Sequence, residues 1–271
     1  MNLSVGTAVF YFRPFHEALE IIFKAGFDSI EFDLYWQGGR FEMAQHLKQF
    51  SHTKAIKLAN DFGLEIVSIH EGGGLVSNSE YINPDLNRFL EELNVPPKCI
   101  VFHTPSIEGK PDYNWWKIFK DNYINTLREY QKKCNLITIE NMPNIEGYFF
   151  PVNTPDDLKW FTEASNFGIT LDTTHFAENG VNPSIAAIIL KNQIRTIHLS
   201  DFTEKRRHVF IGDGDINWEE FFTELKHIKL HTLTLECSMT KSDLSDIKMD
   251  KKQLISRLKL AKKRLENFLK L

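Results

Sequence analysis

Residues 136–140 read LITIE and residues 168–172 read GITLD. Both are short runs of apolar and β-branched residues that end on an acidic side chain, and residues 99–103, CIVFH, end on a histidine in the same way. Continuous apolar character of this kind is expected of parallel strands that are covered on both faces. Longer amphipathic segments separate the runs, so the chain alternates strand and helix in the manner of an α/β fold.

Eight runs of this type follow one another along the chain. The predicted strands are Leu3–Phe10, Ser29–Leu34, Glu65–His70, Cys99–Thr104, Leu136–Asn141, Gly168–Asp172, Arg195–Ser200 and His231–Glu236. A barrel of eight strand–helix units needs about 250 residues, and this chain has 271. We therefore predict an α/β fold in which residues 1–271 form a single (β/α)8 TIM barrel.

Local signals mark several helices between these strands. Residues 14–25 are predicted to be helical because a proline stands early and a glycine follows the end. Residues 41–62 form a long amphipathic stretch that also closes at a glycine. Thr154 is a favourable N-cap, because a proline and two acidic residues follow it. Asp250 begins a basic C-terminal helix.

Composition and charge narrow the functional classes. The formal net charge of −4 provides no overall basic field for nucleic acid. An odd, sparse count of 3 cysteines argues against a disulfide scaffold and favours a reducing cytoplasm. No apolar run approaches the ~18 residues of a membrane span, and the first residues lack the pattern of a signal peptide. We expect a cytoplasmic protein without a membrane partner, and the sequence leaves a homo-oligomer open.

Ionisable residues stand at the ends of six of the predicted strands. They are His70, His103, Glu140, Asp172, His198 and Glu236. The carboxyl ends of the strands form the mouth of a parallel barrel, so these side chains should converge there. An ionisable group in such a place is costly unless it is paired or bound to a metal. Imidazole and carboxylate together suit Zn, Mn, Co or Fe better than Ca. We predict one or two divalent ions (Zn, Mn or Co), the alternative being a hydrogen-bonded mouth without metal.

Five segments carry a resemblance to a known family: ITIEN around Glu140, ITLDTTH around Asp172, TIHLSD around His198, RRHVFIGDGDINW after it, and TLE at Glu236. Together they resemble the xylose isomerase-like TIM barrels, which include sugar isomerases, sugar epimerases and endonuclease IV. The resemblance implies that Glu140, Asp172, His198 and Glu236 bind one metal ion. It also implies that the two glutamates act as catalytic acid and base.

Further residues are assigned by the same resemblance. His175, Arg207 and His208 are expected to bind substrate, while His70 and His103 match additional metal ligands of endonuclease IV. His175 and His208 also match ligands of its third zinc ion. Endonuclease IV has an aspartate where this chain has Arg206, so a third ion would keep only two imidazoles. The resemblance thus predicts one or two ions rather than three.

Two enzymatic hypotheses follow. The first is an isomerase or epimerase of a sugar, keto-polyol or sugar phosphate, which transfers a proton through a metal-stabilised enediolate. The second is an endonuclease IV-like, zinc-dependent phosphodiesterase that acts at abasic sites in DNA, with Tyr35, Trp36 and Tyr148 as candidate wedges. Arg206 and the acidic net charge argue against the second. A non-catalytic binding module is a third hypothesis, which the intact ligand set disfavours.

One turn also has two interpretations. The glycines of the segment Gly212–Gly214 allow the backbone to approach a ligand closely, and loops after the seventh and eighth barrel strands often bind phosphate. A plain tight turn explains the same sequence.

Overall fold

A computed structural model describes residues 1–10, 12–34, 51–71, 82, 85–109, 112–237 and 249–270. The strands are β1 (Asn2–Gly6), β2 (Ser29–Asp33), β3 (Glu65–His70), β4 (Cys99–Phe102), β5 (Ile107–Glu108), β6 (Ile137–Glu140), β7 (Tyr148–Phe149), β8 (Gly168–Asp172), β9 (Ile194–Leu199), β10 (Asp201–Thr203), β11 (Arg206–Val209) and β12 (Thr232–Leu235). Eight of them close a barrel of parallel strands in the order β1-β12-β9-β8-β6-β4-β3-β2. The predicted (β/α)8 architecture is confirmed.

Helices flank the barrel. They are α1 (Phe15–Lys24), α2 (His52–Asp61), α3 (Asp85–Glu92), α4 (Tyr113–Gln131), α5 (Pro155–Ser165), α6 (Thr173–Glu178), α7 (Pro183–Leu190), α8 (Trp218–Leu225) and α9 (Lys251–Phe268). The predicted caps are confirmed, because Thr154 and Asp250 each form a capping box with the residue three positions later. Among the helices in the described ranges, none is long and apolar enough to cross a membrane.

The prediction of one helix over residues 41–62 is wrong at Ser51. This residue has an extended backbone (φ −71°, ψ 152°), and its side chain accepts a hydrogen bond from the Lys54 amide. It is therefore the N-cap of α2, and the helix starts after it. Residues 41–50 lie outside the described part of the chain.

Two predicted strands extend two or more residues past the C-terminal end that the structure gives them. The first ends at Gly6, and a 3-10 helix occupies Thr7–Phe10. The Ala8 amide donates to a carboxylate oxygen of Asp33 (2.8 Å), which turns this backbone out of the strand direction. The fourth ends at Phe102, so His103 lies in the following loop. Its carbonyl accepts a hydrogen bond from the hydroxyl of Tyr123 on α4 (2.5 Å).

Alternate residues of each barrel strand line the interior of the barrel. Alternate residues of a strand share one face, and four strands place a threonine two positions before an ionisable residue. The pairs are Thr138 and Glu140, Thr170 and Asp172, Thr196 and His198, and Thr234 and Glu236. The Thr170 hydroxyl bonds to those of Thr138 (2.6 Å) and Thr196 (2.5 Å), all fully buried. A layer of hydrogen-bonded hydroxyls thus lies directly beneath the ionisable residues.

Asp201 organises the loop that follows β9. Its buried carboxylate accepts hydrogen bonds from the amides of Gly212 (2.9 Å) and Ile216 (3.1 Å) and from the indole of Trp218 (2.8 Å). Gly214 packs so closely that a Cβ there would lie 2.4 Å from Asp201 Oδ1. The glycine is required by this close approach, because any side chain would displace the carboxylate.

The C-terminal helix α9 also stabilises the turn Gly212–Gly214. Arg257 and Arg264 on α9 pair with the carboxylate of Asp213 at 2.9 Å and 3.1 Å. The amides of Gly212 and Asp213 both donate within the protein, to Asp201 and to the Phe210 carbonyl. These contacts support the interpretation of Gly212–Gly214 as a structural tight turn and leave little of its backbone to bind phosphate.

We predict that Asp201→Ala destabilises the protein by about 3–5 kcal/mol, because several buried donors lose their acceptor. Asp215→Ala is the matched control, since its side chain is exposed in the same turn and should change stability by less than about 0.5 kcal/mol. Urea denaturation followed by circular dichroism measures both. Equal stability of the two variants would contradict this role of Asp201.

Candidate metal centre at the barrel mouth

The structure brings all six predicted ligands together at one end of the barrel. His70, Glu140 and Asp172 are the last residues of β3, β6 and β8, and His198 lies in β9. His103 and Glu236 directly follow β4 and β12. Five of these side chains are buried, and that of Glu236 is 15% exposed. Because the strands are parallel, six residues far apart in sequence share one cluster.

Four of the six residues form the main group: Glu140, Asp172, His198 and Glu236. Each offers one ligand atom, and these atoms all lie within 4.8 Å of one another. His198 Nδ1 lies 2.6 Å from Glu236 Oε2 and 3.2 Å from Glu140 Oε1. Three carboxylates and one imidazole thus surround one point.

A second group consists of His70, His103 and Glu140. The Nε2 atoms of the two histidines are 2.7 Å apart, and they lie 3.0 Å and 2.8 Å from Glu140 Oε2. Glu140 therefore presents one oxygen to each group, as a carboxylate that bridges two neighbouring ions would.

A third group corrects an expectation from the sequence. Asp172, His175 and His208 also bring three ligand atoms within 4.8 Å. The substitution at Arg206 was expected to leave only two imidazoles here, but Asp172 supplies a carboxylate from β8. The Arg206 guanidinium instead reaches the Asp213 carbonyl at 3.4 Å.

The predicted substrate residues lie on two elements beside the mouth, His175 on α6 and Arg207 and His208 on β11. His208 has a positive φ of 49° and its Nδ1 lies 3.0 Å from the Ser200 hydroxyl. The rings of His175 and His208 are 5.0 Å apart and nearly perpendicular. Strained backbone of this type is concentrated at functional sites. Arg207 is 53% exposed and pairs with Glu178 at 2.8 Å, further towards solvent.

Five buried atoms of the main group make no hydrogen bond with any described residue. They are Glu140 Oε1, Asp172 Oδ2, both ring nitrogens of His198, and Glu236 Oε2. The contacts among them are short but are not aligned as hydrogen bonds. Buried polar atoms normally have hydrogen-bond partners, and this donor set is one that binds divalent transition metals. The residues therefore fit a divalent cation.

The negative charge of the cluster also indicates a site for a cation. Five carboxylates lie together, those of Glu31, Asp33, Glu140, Asp172 and Glu236, and within the described ranges each of their ion pairs is with a histidine. No permanent cation compensates them there, so protonated histidines or a bound metal must do so.

The two predicted catalytic glutamates have opposite electrostatic environments. Burial raises the pKa of Glu236 to about 7, although His198 opposes the shift. Burial acts on Glu140 as well, but the charges of His198, His103 and His70 outweigh it and hold the pKa of that carboxyl well below its usual range. Neighbouring carboxyls whose pKa values are driven apart are typical of an acid and base pair.

Glu31 and Asp33 also lie in the site, although they were not among the residues predicted from the sequence. Both are buried on β2 and point into the barrel, where Glu31 lies 2.9 Å from His198 and Asp33 lies 3.1 Å from His70. Two acids at alternate positions of an otherwise apolar strand, in residues 29–33, SIEFD, were the available signal. Alternate residues share a face, so both acids had to face either the interior or the helices.

Asn141 was also missed as a site residue. Its side chain donates to the Asp172 carbonyl (3.0 Å) and accepts from the Asp172 amide (2.8 Å). Its own carbonyl lies 2.8 Å from His175 Nδ1. This buried residue thus ties the ends of β6 and β8 together and sets the position of two ligand candidates.

Comparisons with known proteins agree with this fold. The family model described as xylose isomerase-like TIM barrel matches residues 19–263. A search of curated proteins found no match. Among solved structures, an L-ribulose 3-epimerase has a TM-score of 0.71 at 16% identity and covers 99% of this chain and 94% of its own.

Two further structures are similar. D-psicose 3-epimerase from Clostridium cellulolyticum H10 has a TM-score of 0.71 at 15% identity, with 99% of both chains covered. The 3-keto-D-glucoside 4-epimerase from E. coli has a TM-score of 0.68 at 14% identity and covers 97% of this chain and 99% of its own. At these identities the likeness establishes a shared fold.

We predict that Asn141→Ala destabilises the protein by about 2–4 kcal/mol, because two buried backbone groups of Asp172 lose their partner. Asn122→Ala is the control, since Asn122 is exposed on α4 and alanine there should be neutral or slightly stabilising. Chemical denaturation of metal-free protein is the measurement. An Asn141 variant as stable as the control would contradict the role assigned to this side chain.

Proposed function

Because the chain belongs to the xylose isomerase-like TIM barrel family, we propose that it is a divalent-metal-dependent isomerase or epimerase of a sugar, keto-polyol or sugar phosphate. The observation that carries the proposal is the main group, in which two glutamates, an aspartate and a histidine converge with unsatisfied buried atoms. The names of the three similar structures, all sugar epimerases, support the same class.

One or two ions (Zn, Mn or Co) would be held by the main group and by His70, His103 and Glu140. A bound ion supplies positive charge that polarises a substrate carbonyl and its neighbouring hydroxyl. Glu140 and Glu236 approach the centre from strands that are separated by β8 and β9. We assign them the transfer of the proton at the carbon beside that carbonyl, one removing it and the other returning it.

Substrate oxygens are assigned to His175, Arg207 and His208. Asn141 orients the His175 ring through its carbonyl, and Glu178 keeps the Arg207 guanidinium beside the mouth. Asp172 and Glu140 lie close to His175, at 3.7 Å and 3.4 Å, so this imidazole borders the metal group. A cytoplasmic location is also proposed, since all three cysteines are free and buried.

The alternative is the abasic-site nuclease. The second and third groups favour it, because they provide ligands beyond the four that one ion needs. Of its candidate DNA wedges, Tyr148 is 43% exposed on β7, while Tyr35 and Trp36 lie outside the described residues.

One experiment separates the two functions. Metal-stripped protein, given Mn, Co or Zn in heavy water, should incorporate deuterium beside the carbonyl of at least one ketose in a panel with D-psicose and L-ribulose, measured by NMR. Abasic-site DNA incubated in parallel should stay intact. Incision of that DNA at an enzymatic rate without sugar exchange would assign the nuclease instead. No bound divalent ion and no activation would overturn the metal-dependent function altogether.

We predict that Glu140→Gln and Glu236→Gln each lower kcat by about 10²–10⁴-fold, because each removes a proton-transfer group. Glu163→Gln, on the exposed face of α5, is the matched control and should retain full activity. Steady-state kinetics and metal content are measured together. Near wild-type turnover in either active-site variant would refute its acid/base assignment.

A further inference from the structure

Two carboxylates of β2 lie behind two of the histidines at the mouth. Glu31 Oε1 lies 2.9 Å from Nε2 of His198. The other nitrogen of that ring, Nδ1, lies 2.6 Å from Glu236 Oε2 and therefore faces the main group. The imidazole of His198 is thus placed between a carboxylate at its back and the main group in front.

His70 repeats the arrangement with its nitrogens exchanged. Asp33 Oδ1 lies 3.1 Å from Nδ1 of His70. The Nε2 atom of His70 lies 3.0 Å from Glu140 Oε2 and therefore faces the second group. Since Glu31 and Asp33 are two residues apart on one strand, β2 serves both histidines from the same face.

Each carboxylate is itself anchored through its other oxygen. The Ser68 hydroxyl on β3 donates to Glu31 Oε2 at 2.6 Å. The Ala8 amide and the Thr7 hydroxyl donate to Asp33 Oδ2 at 2.8 Å and 3.2 Å. With one oxygen anchored in this way, each carboxylate directs the remaining oxygen at an imidazole, and all of these groups are buried or nearly buried.

A histidine binds a metal through the nitrogen that has no hydrogen. The opposite nitrogen carries that hydrogen, and a carboxylate behind it fixes both the tautomer and the ring orientation. These two contacts between a carboxylate and an imidazole are short but, as in the main group, are not aligned as hydrogen bonds. Once each ring turns towards its carboxylate, hydrogen would stay on Nε2 of His198 and on Nδ1 of His70. The nitrogens that face the two groups would then be the ones able to bind.

Glu31 also forms a group of possible ligand atoms with His70 and His198, and Asp33 forms one with His70 and Glu236. We propose that both carboxylates are positioning residues, which orient His198 and His70 towards the main and second groups, rather than metal ligands. The inference rests on the proposed metal-dependent function. None of the six predicted ligands lies on β2, so the proposal gives this strand a role in the site.

Metal affinity provides the first test. Glu31→Ala and Asp33→Ala should weaken Zn and Mn binding by about 10–100-fold, measured on purified, metal-stripped protein by competition with a fluorescent chelator. Glu31→Gln and Asp33→Asn should lose less, because an amide oxygen can still accept the imidazole hydrogen. Ser4→Ala is the control, since it removes another buried hydroxyl of the barrel, bonded to Thr234 at 2.9 Å, and should bind like wild type.

Histidine tautomers provide a readout that a general loss of stability would not change. In zinc-loaded protein with ¹⁵N-labelled histidine, NMR should show hydrogen on Nε2 of His198 and on Nδ1 of His70. Glu31→Ala should alter the first ring and Asp33→Ala the second. Should an alanine variant fail to fold, the Gln or Asn variant replaces it in both measurements.

These measurements separate failure of the positioning role from failure of the proposed metal-dependent function. If wild type binds no divalent ion, the proposed function fails and the inference fails with it. If wild type binds metal while the β2 variants keep affinities within about twofold of it and unchanged tautomers, the inference alone is overturned. Weaker binding with a changed tautomer at the matching histidine supports it.

Discussion

Uncompensated negative charge at the mouth of the barrel is the constraint on which the rest of this structure depends. Carboxylates that are buried away from water are costly unless a cation accompanies them. Five of them meet here, and in the described part of the chain their ion pairs are all with histidine. The surrounding hydrogen bonds hold these groups together against their repulsion. A divalent cation would resolve the conflict, and we propose that binding one is what the cluster is for.

The barrel supplies the rigidity that such a cluster needs. Apolar residues on the outer face of each strand pack against helices, and hydroxyl residues on the inner face bond to one another below the site. Asn141 then joins two neighbouring strand ends, and Asp201 fixes the loop behind His198. Each device uses buried hydrogen bonds, which are directional and therefore position atoms more closely than apolar packing does.

Some ligand candidates at the barrel mouth belong to more than one metal-binding group. Glu140 has an oxygen in each of two groups, and Asp172 contributes to the main group and to the group of His175 and His208. The same cluster can therefore be described as one metal site with neighbours or as a site for two adjacent ions. One fold can support different chemistries, and the groups that are occupied would decide between the two proposed functions.

The sequence by itself determined the alternation of strands and helices, the helix caps at Thr154 and Asp250, and the six ionisable strand ends, because these depend on neighbouring residues along the chain. It misjudged where β1 and β4 end, since contacts with Asp33 and Tyr123 decide those points. Only the tertiary structure decided how the ligand candidates divide into groups. In the tertiary structure Asp172 lies beside His208, and the Arg206 guanidinium contacts the Asp213 carbonyl. Glu31 and Asp33 lie next to His198 and His70. These are distances between strands far apart in sequence, and they follow from barrel closure and register, which no local pattern encodes.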